Sequence, residues 1–412
     1  MGSVDTARWP RLVLGVATLL FAGVIYAWSI IKAPFELMSD GIVINASQLG
    51  VNYTLTVIFF CIGSFTSGQI SGKTTSTQRL IISAVLLFSG FFTASILIAP
   101  LREGRSFIPL YLTYGVLAGV GIGFAYNTVI GTTNMWFPDK QGFCSGVLLL
   151  GFGMSSLIIG RIADFMGNSD AIGWRSTYVC FAVAIGLILL IAAFLVKPPP
   201  AGMVFPAPKA SKSSAQSEEV RDYSTLEMIR RKSFVLIFIY TGILSASGSA
   251  AIGFAKDIVQ DAGATAGFAV TAVGILAVFN GFGRLSSGWL FDNIGLKRTQ
   301  FVSSLVNILA PLTVVLALAV DSLFLCVSGV CLCGLAYGFA PTTASVFAAR
   351  FYGQKNFSKN FGILNLILVP APFAATLAGR VKDSTGGFIS AFLILSACAV
   401  AGFFINLGIK KP

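Results

Sequence analysis

Apolar residues in this chain gather in long unbroken runs rather than at every third or fourth position. A helix needs about 20 apolar residues to cross about 30 Å of hydrocarbon. Twelve runs meet that length, predicting spans over 11–32, 48–71, 80–100, 109–133, 142–161, 174–196, 234–254, 265–291, 301–320, 323–348, 361–380 and 388–407. The predicted fold is an all-α membrane protein with twelve transmembrane helices. The longest polar stretch is 197–232. Pro198, Pro199 and Pro200 stop the sixth run, because proline lacks the amide that would continue a helix. Ser, Lys and Glu follow, in the manner of a flexible linker. Ser224-Thr225-Leu226-Glu227 is a capping-box pattern that predicts a short interfacial helix. The chain thus divides into an N-terminal six-helix bundle (1–197), a linker (198–232) and a C-terminal six-helix bundle (233–412).

Composition makes a membrane protein the required reading. Apolar residues make up 55% and charged residues 11%, with mean hydropathy +0.84. A soluble domain carries about a quarter charged residues, so the excess apolar surface must face lipid. The net charge of +12 does not point to nucleic acid, since no basic stripe interleaves with aromatics. The basic residues instead fall in the loops. With both termini and the linker on one side, 19 of the 28 Lys and Arg lie on that side and 8 on the other. The bias toward positive charge inside predicts cytoplasmic termini in a multi-pass cell-membrane protein. The seven cysteines sit mostly in apolar runs, and His is absent. No metal site or cofactor is expected. An enzyme is not expected either, because the spans lack paired acids or a Cys or His base.

The second and fourth quarters of the chain resemble each other. Trp136-Phe137-Pro138-Asp139-Lys140 precedes the fifth span, and Phe351-Tyr352-Gly353-Gln354-Lys355 precedes the eleventh. Gly160-Arg161 near the end of the fifth matches Gly379-Arg380 near the end of the eleventh. Two pseudo-symmetric six-helix bundles with a site at their interface are a carrier architecture. Gly288, Asp292, Gly295, Lys297 and Arg298, after the eighth span, resemble the loop signature of the major facilitator family. The first-half counterpart, Gly68 to Lys73, lacks the Asp.

One charged residue lies well inside a predicted span. Arg284 precedes Asp292 by eight residues, about 12 Å of helix at 1.5 Å per residue. A guanidinium there costs about 2.5–3.5 kcal/mol on insertion scales and cannot shed its charge. Three fates remain open: partnership with an anion in a water-filled cavity, capture by backbone carbonyls, or snorkelling toward the cytoplasm. A carboxylate is the anion that fits, because it accepts two parallel N–H bonds from the guanidinium fork. Asn280, one turn away on the same face, orients Arg284, touches substrate or bonds another helix. Tyr26, Trp28, Tyr126, Tyr337 and Phe339 are further candidates for lining such a cavity, with packing as the alternative. Trp9, Trp136, Trp174 and Trp289 sit at span ends, where tryptophans anchor at the membrane interface.

Tyr26-Ala27-Trp28-Ser29, Trp136-Phe137-Pro138-Asp139-Lys140 and Asn280-Gly281-Phe282-Gly283-Arg284 resemble the oxalate:formate antiporter family. The related monocarboxylate transporters share the Arg of the eighth span. The resemblance covers nearly the whole chain and implies transport of small carboxylates by alternating access. It implies that Arg284 binds substrate and that Tyr26, Tyr126 and Tyr337 surround it. It also implies a Lys in the eleventh span that holds a second carboxylate, and Leu368 stands at that position here. Cys333 and Asn365 stand where two site tryptophans are implied. One cation suits one carboxylate, which favours monocarboxylates such as lactate, pyruvate or formate over oxalate. An oxalate-type or other organic-anion exchanger is the alternative. The resemblance to monocarboxylate carriers implies a proton as co-substrate. The nearest acids to the spans are Glu36, at the outer end of the first, and Asp257, at the outer end of the seventh. Either could couple a proton, and either could be an ordinary surface charge.

Overall fold

The computed structural model describes residues 2–36, 46–102, 106–200, 202–203, 205 and 221–412. Among the described residues, twelve helices are long and apolar enough to cross a membrane. They are α1 (Ala7–Ala27), α2 (Val51–Gly72), α3 (Ser76–Ile98), α4 (Ile108–Asn134), α5 (Gln141–Gly167), α6 (Gly173–Leu195), α7 (Lys232–Asp261), α8 (Gly267–Asn293), α9 (Leu296–Ala319), α10 (Leu323–Tyr352), α11 (Phe357–Thr385) and α12 (Ile389–Leu407). In lipid the backbone must satisfy its own hydrogen bonds, which is why the apolar runs become helices. Several helices outrun the predicted spans, since apolarity marks where hydrocarbon ends and a helix can continue into water.

Several helices are irregular, and none of these breaks was foreseen. The last turn of α1, Gly23–Ala27, is 3-10 and carries Tyr26. In α4, Tyr111–Ala118 is π-helical. α5 breaks at Met154, between Gln141–Gly153 and Ser155–Gly167. α11 breaks at the 3-10 turn Leu366–Leu368, after which Pro370 caps Ala371–Thr385.

The chain forms two compact units. The first contains Met1–Phe137, Gly151–Phe205 and Phe361–Leu366. The second contains Pro138–Leu150, Pro206–Asn360 and Ile367–Pro412. Each unit therefore takes in a segment from the other half of the sequence. The first half of α5 packs in the second unit, and the start of α11 packs in the first. Both crossovers fall close to the helix breaks at Met154 and Leu366–Leu368.

Both described ends of the linker are fastened. In the first unit, Trp136 Nε1 donates to the Lys197 carbonyl at 2.8 Å, and its ring meets Phe205 edge-on. The Arg11 guanidinium lies 4.0 Å over the same ring. Trp136 and Trp174 are buried, at 2% and 7% exposure, which corrects their reading as interfacial anchors. Trp9 and Trp289 are exposed as that role requires. In the second unit the capping box at Ser224 is present and starts the helix Thr225–Ile229. Just before it, the Tyr223 amide donates to the Tyr352 carbonyl at 2.9 Å. Asn356 and Asn360 both donate to the Tyr223 carbonyl.

Candidate functional site

In the second unit, α8 is pressed backbone to backbone against the first half of α5. A Cβ at Gly288 would collide with the Gly142 carbonyl, and one at Gly146 would crowd the Arg284 carbonyl. Small residues permit such contact, which is how helices associate where lipid offers no hydrophobic drive. At the end of this seam Asp292 closes the N-terminus of α5. Its Oδ1 accepts the Gly142 amide at 3.1 Å and its Oδ2 the Phe143 amide at 2.6 Å. These are first-turn amides with no partner inside their helix, and a carboxylate suits the positive end of the helix dipole. Arg350 of α10 donates to the same carboxylate at 2.6 Å and to the Phe291 carbonyl at 3.0 Å. Deeper along the seam, Ser145 and Ser345 share a hydrogen bond of 2.8 Å.

Arg284 lies two turns further in and is 1% exposed. Its Nη1 donates to the Leu149 carbonyl of α5 at 2.8 Å. Of the fates the sequence left open, backbone capture is thus observed for one arm of the guanidinium. Thr342 of α10 and Ser287 both donate to the Arg284 carbonyl. Asn280 is half-buried on the same helix, and its Oδ1 is buried without a hydrogen-bond partner among the described residues. Tyr337 and Phe339 lie on α10, which meets α8 where Gly338 approaches the Asn280 carbonyl and the Arg284 amide. Phe339 is buried, and the half-buried Tyr337 packs on Gly248 of α7.

The remaining candidates of this unit stand on other helices. Leu368 is half-buried in the 3-10 turn that interrupts α11. Asp257 is half-buried on α7 itself, one turn before its end at Asp261. The prediction had closed this span at 254. The helix instead bends at Phe254 (φ −127°, ψ 15°) and continues, so Asp257 is a helical residue and not part of a loop. Glu36 ends the short helix Ala33–Glu36, and its side chain lies outside the described residues.

The first unit brings Tyr26 and Tyr126 into one aromatic cluster. Both rings pack on Phe152, with centroids 5.5 and 5.0 Å away. Phe60 meets Tyr126 edge-on at 5.1 Å, and Phe361 from α11 stacks on Tyr126 at 5.7 Å. Trp28 lies apart from this cluster, against Tyr114, with its Nε1 donating to the Leu49 carbonyl at 3.2 Å. Sequence reasoning missed Phe60, Phe152 and Phe361, because 36 phenylalanines give no signal for which three converge. It missed Leu149 because a backbone carbonyl has no signature in the side-chain sequence.

The Major Facilitator Superfamily profile matches residues 12–376. The chain is similar to the MFS-type transporter YhjX of Escherichia coli (strain K12), 24% identical over 361 residues, which cover 87% of this chain and 84% of the relative. It is similar to the oxalate:formate antiporter of Oxalobacter formigenes, 24% identical over 407 residues, 96% of this chain and 90% of the relative. Monocarboxylate transporter 11 of Mus musculus is 25% identical over 74% of this chain and 68% of the relative. Among solved structures, the transporter FucP in its outward conformation aligns with TM-score 0.69 at 14% identity, over 98% of this chain and 100% of that one. A bacterial homologue of the iron transporter ferroportin in its outward-facing state aligns with TM-score 0.72 at 15% identity, over 98% and 99%. These likenesses establish the shared twelve-helix fold. With its profile running through most of the twelve spans, the chain belongs to the Major Facilitator Superfamily, as a multi-pass membrane transporter and not an enzyme.

Proposed function

We propose that the chain carries small monocarboxylate anions by alternating access, with Arg284 as the partner of the carboxylate. The observation that carries this reading is the guanidinium buried in α8 at 1% exposure. Its charge is permanent, and an anion that accepts its N–H fork offsets the cost of keeping it away from water. Asn280, one turn away, is the proposed second polar contact, donating to the anion from its side-chain Nδ2. Tyr337 and Phe339 on α10, and Tyr26 and Tyr126, are proposed substrate contacts during the cycle. The names of two relatives, an oxalate:formate antiporter and a monocarboxylate transporter, support the substrate class. Leu368, where the resemblance implies a lysine, favours a single carboxylate over oxalate. The proposed orientation places both termini in the cytoplasm, on the distribution of Lys and Arg.

Uptake of labelled lactate and formate into proteoliposomes tests the reading. Arg284→Gln should abolish uptake at matched reconstitution, and Arg284→Lys should leave a small remainder, because a point charge replaces the fork. Normal uptake by the Gln variant rejects the assignment. Stronger inhibition by oxalate than by lactate favours the second reading, an oxalate-type exchanger. A proton gradient imposed without internal anion separates the two modes of coupling. Accumulation that is lost in Asp257→Asn supports proton symport through Asp257, and accumulation only with internal carboxylate supports exchange.

A further inference from the structure

We infer that the end of the linker, residues 222–225, is a clasp that sets the start of α11, and that Asn360 in its grip is a positioning residue for Tyr126. The inference rests on the proposed role of Tyr126 as a substrate contact. It starts from a difference between the repeats. α5 begins under the carboxylate of Asp292. Counted from Gly288 and Gly68 of the two loops, the counterpart of Asp292 is Gly72, so that position offers α11 no carboxylate. The turn before α11 takes one from the linker instead: the Lys355 amide donates to Asp222 Oδ1 at 3.0 Å. Gly353 permits this approach. Its φ is +83°, and Asp222 fills the space where a side chain would stand.

The next linker residues hold the first turn of α11 itself. Tyr223 is buried, and its amide donates to the Tyr352 carbonyl at 2.9 Å. Its carbonyl accepts the side-chain amides of Asn356 and Asn360 at 3.0 and 3.1 Å. Thr225 Oγ1 donates to Asn360 Oδ1 at 3.2 Å. Linker residues thus bond both the nitrogen and the oxygen of the Asn360 amide, which is 0% exposed. A buried amide that loses its partners bears the full desolvation of its polar atoms, so the docked linker is what makes this position of Asn360 favourable. Asn360 is also the last residue of the second unit before the chain enters the first at Phe361. There Phe361 stacks on Tyr126 at 5.7 Å, Gly362 abuts the Ser64 carbonyl, and the Asn365 carbonyl accepts the Cys61 thiol at 3.7 Å. One peptide bond separates Asn360 from Phe361 and leaves no slack. A shift of Asn360 is carried into the Phe361 ring, and the clasp acts on Tyr126 through that ring.

Cys61 reports on the start of α11 without any ligand, because it is fully buried against the Asn365 carbonyl. Protein in liposomes is pulsed with N-ethylmaleimide, and modification of Cys61 is quantified by peptide mass spectrometry. Asn360→Ala should be modified several-fold faster than the wild type. Thr225→Val, which removes one of the two Asn360 bonds, should fall between them. Asp222→Ala should also be faster than the wild type. Asp222→Asn should return to the wild-type rate, because its amide oxygen still accepts from Lys355. Lactate affinity by thermal-shift titration should weaken about three- to tenfold in Asn360→Ala, the size of one net hydrogen bond.

Wild-type modification rates in folded Asn360→Ala and Thr225→Val proteins overturn the clasp. Equal rates for Asp222→Ala and Asp222→Asn overturn the part given to the Asp222 carboxylate. Faster modification with unchanged lactate affinity overturns the positioning of Tyr126. If Asn360→Ala does not fold, Thr225→Val and the Asp222 pair decide on the same two readouts. If neither lactate nor formate binds the wild type, the substrate reading fails on its own. Cys61 modification then decides the clasp alone: fast in the variants upholds it, and slow rejects it.

Discussion

The repeat places two helix seams in corresponding positions, and the protein has built them from different chemistry. In the second unit α8 meets the first half of α5, and Gly146 abuts the Arg284 carbonyl. In the first unit α2 meets the start of α11, and Gly362 abuts the Ser64 carbonyl and Phe65 in the same manner. Counting back from Gly288 and Gly68 of the two loop signatures, Ser64 occupies the position of Arg284, and Phe60 that of Asn280. Position 292 is an aspartate, and its counterpart is Gly72. The second-unit seam therefore closes with a carboxylate on a helix N-terminus, an ion pair and a guanidinium. The first-unit seam closes with the Tyr126–Phe361 stack and a 3.7 Å contact from the Cys61 thiol to the Asn365 carbonyl. A shared close approach of glycine to backbone sets the geometry of both.

The difference is broken most severely at Asp292. Replacing it with Ala strands the Gly142 and Phe143 amides and leaves Arg350 without its carboxylate. Removing one partner of a buried pair costs about 3–5 kcal/mol. The lower end applies here, about 3 kcal/mol, because the Arg350 side chain is 32% exposed and solvent screens it. Heat unfolding in detergent should show a fall of several degrees. An unchanged midpoint would mean that the clamp contributes nothing to the fold.

The glycines separate the seams by a smaller margin. Gly288→Ala sets a methyl against the Gly142 carbonyl, a backbone atom that cannot turn aside. Gly362→Ala meets the Ser64 carbonyl at 3.0 Å and Phe65 Cα at 3.1 Å, tight but nearer to tolerable. Overpacking costs about 1–3 kcal/mol, so about 2 kcal/mol is expected for Gly288→Ala and about 1 kcal/mol for Gly362→Ala. The same unfolding assay ranks them, and the reverse order would show that the first-unit seam is the tighter one. Comparable to Gly362→Ala is Phe361→Leu, which removes the stack on Tyr126 at 5.7 Å and should cost about 1 kcal/mol.

The twelve helices were legible because a hydrocarbon slab imposes length and apolarity on each segment independently of its neighbours. The Thr225–Ile229 helix was legible because its capping box is local. Arg284 stood out because a permanent charge in an apolar run has no structural default. Three features were not legible. The crossover of α5 and α11 between units depends on which backbones approach. The burial of Trp136 depends on Arg11 of α1 and on the Lys197 carbonyl just past the end of α6. The continuation of α7 past Phe254 depends on a bend that keeps Asp257 helical. Each is a tertiary fact about partners far along the chain, which local pattern does not record.

The smallest effect sharpens the comparison by setting a second carboxylate at a helix N-terminus beside Asp292, in the same unit but in water. Glu227 sits at the third position of the linker helix. It accepts the Ser224 amide and hydroxyl at 2.8 Å each, and Arg221 at 3.1 Å. The Ser224 amide, then its hydroxyl, then Arg221 hold this carboxyl below its usual value. A depressed folded value means that its stabilisation is complete above the ordinary carboxylate range and is lost as pH falls through the folded value. Because the side chain is about half exposed, only the local helix should respond, without global unfolding. Amide exchange of Thr225–Ile229, corrected for intrinsic pH dependence, should quicken as pH is lowered through the acidic range. In Glu227→Gln that added pH dependence should vanish, and protection at neutral pH should be lower than in the wild type. If both proteins show the same pH profile, the capping carboxylate does not hold this helix. The start of α7 would then rest on the Tyr223 contacts with Tyr352, Asn356 and Asn360.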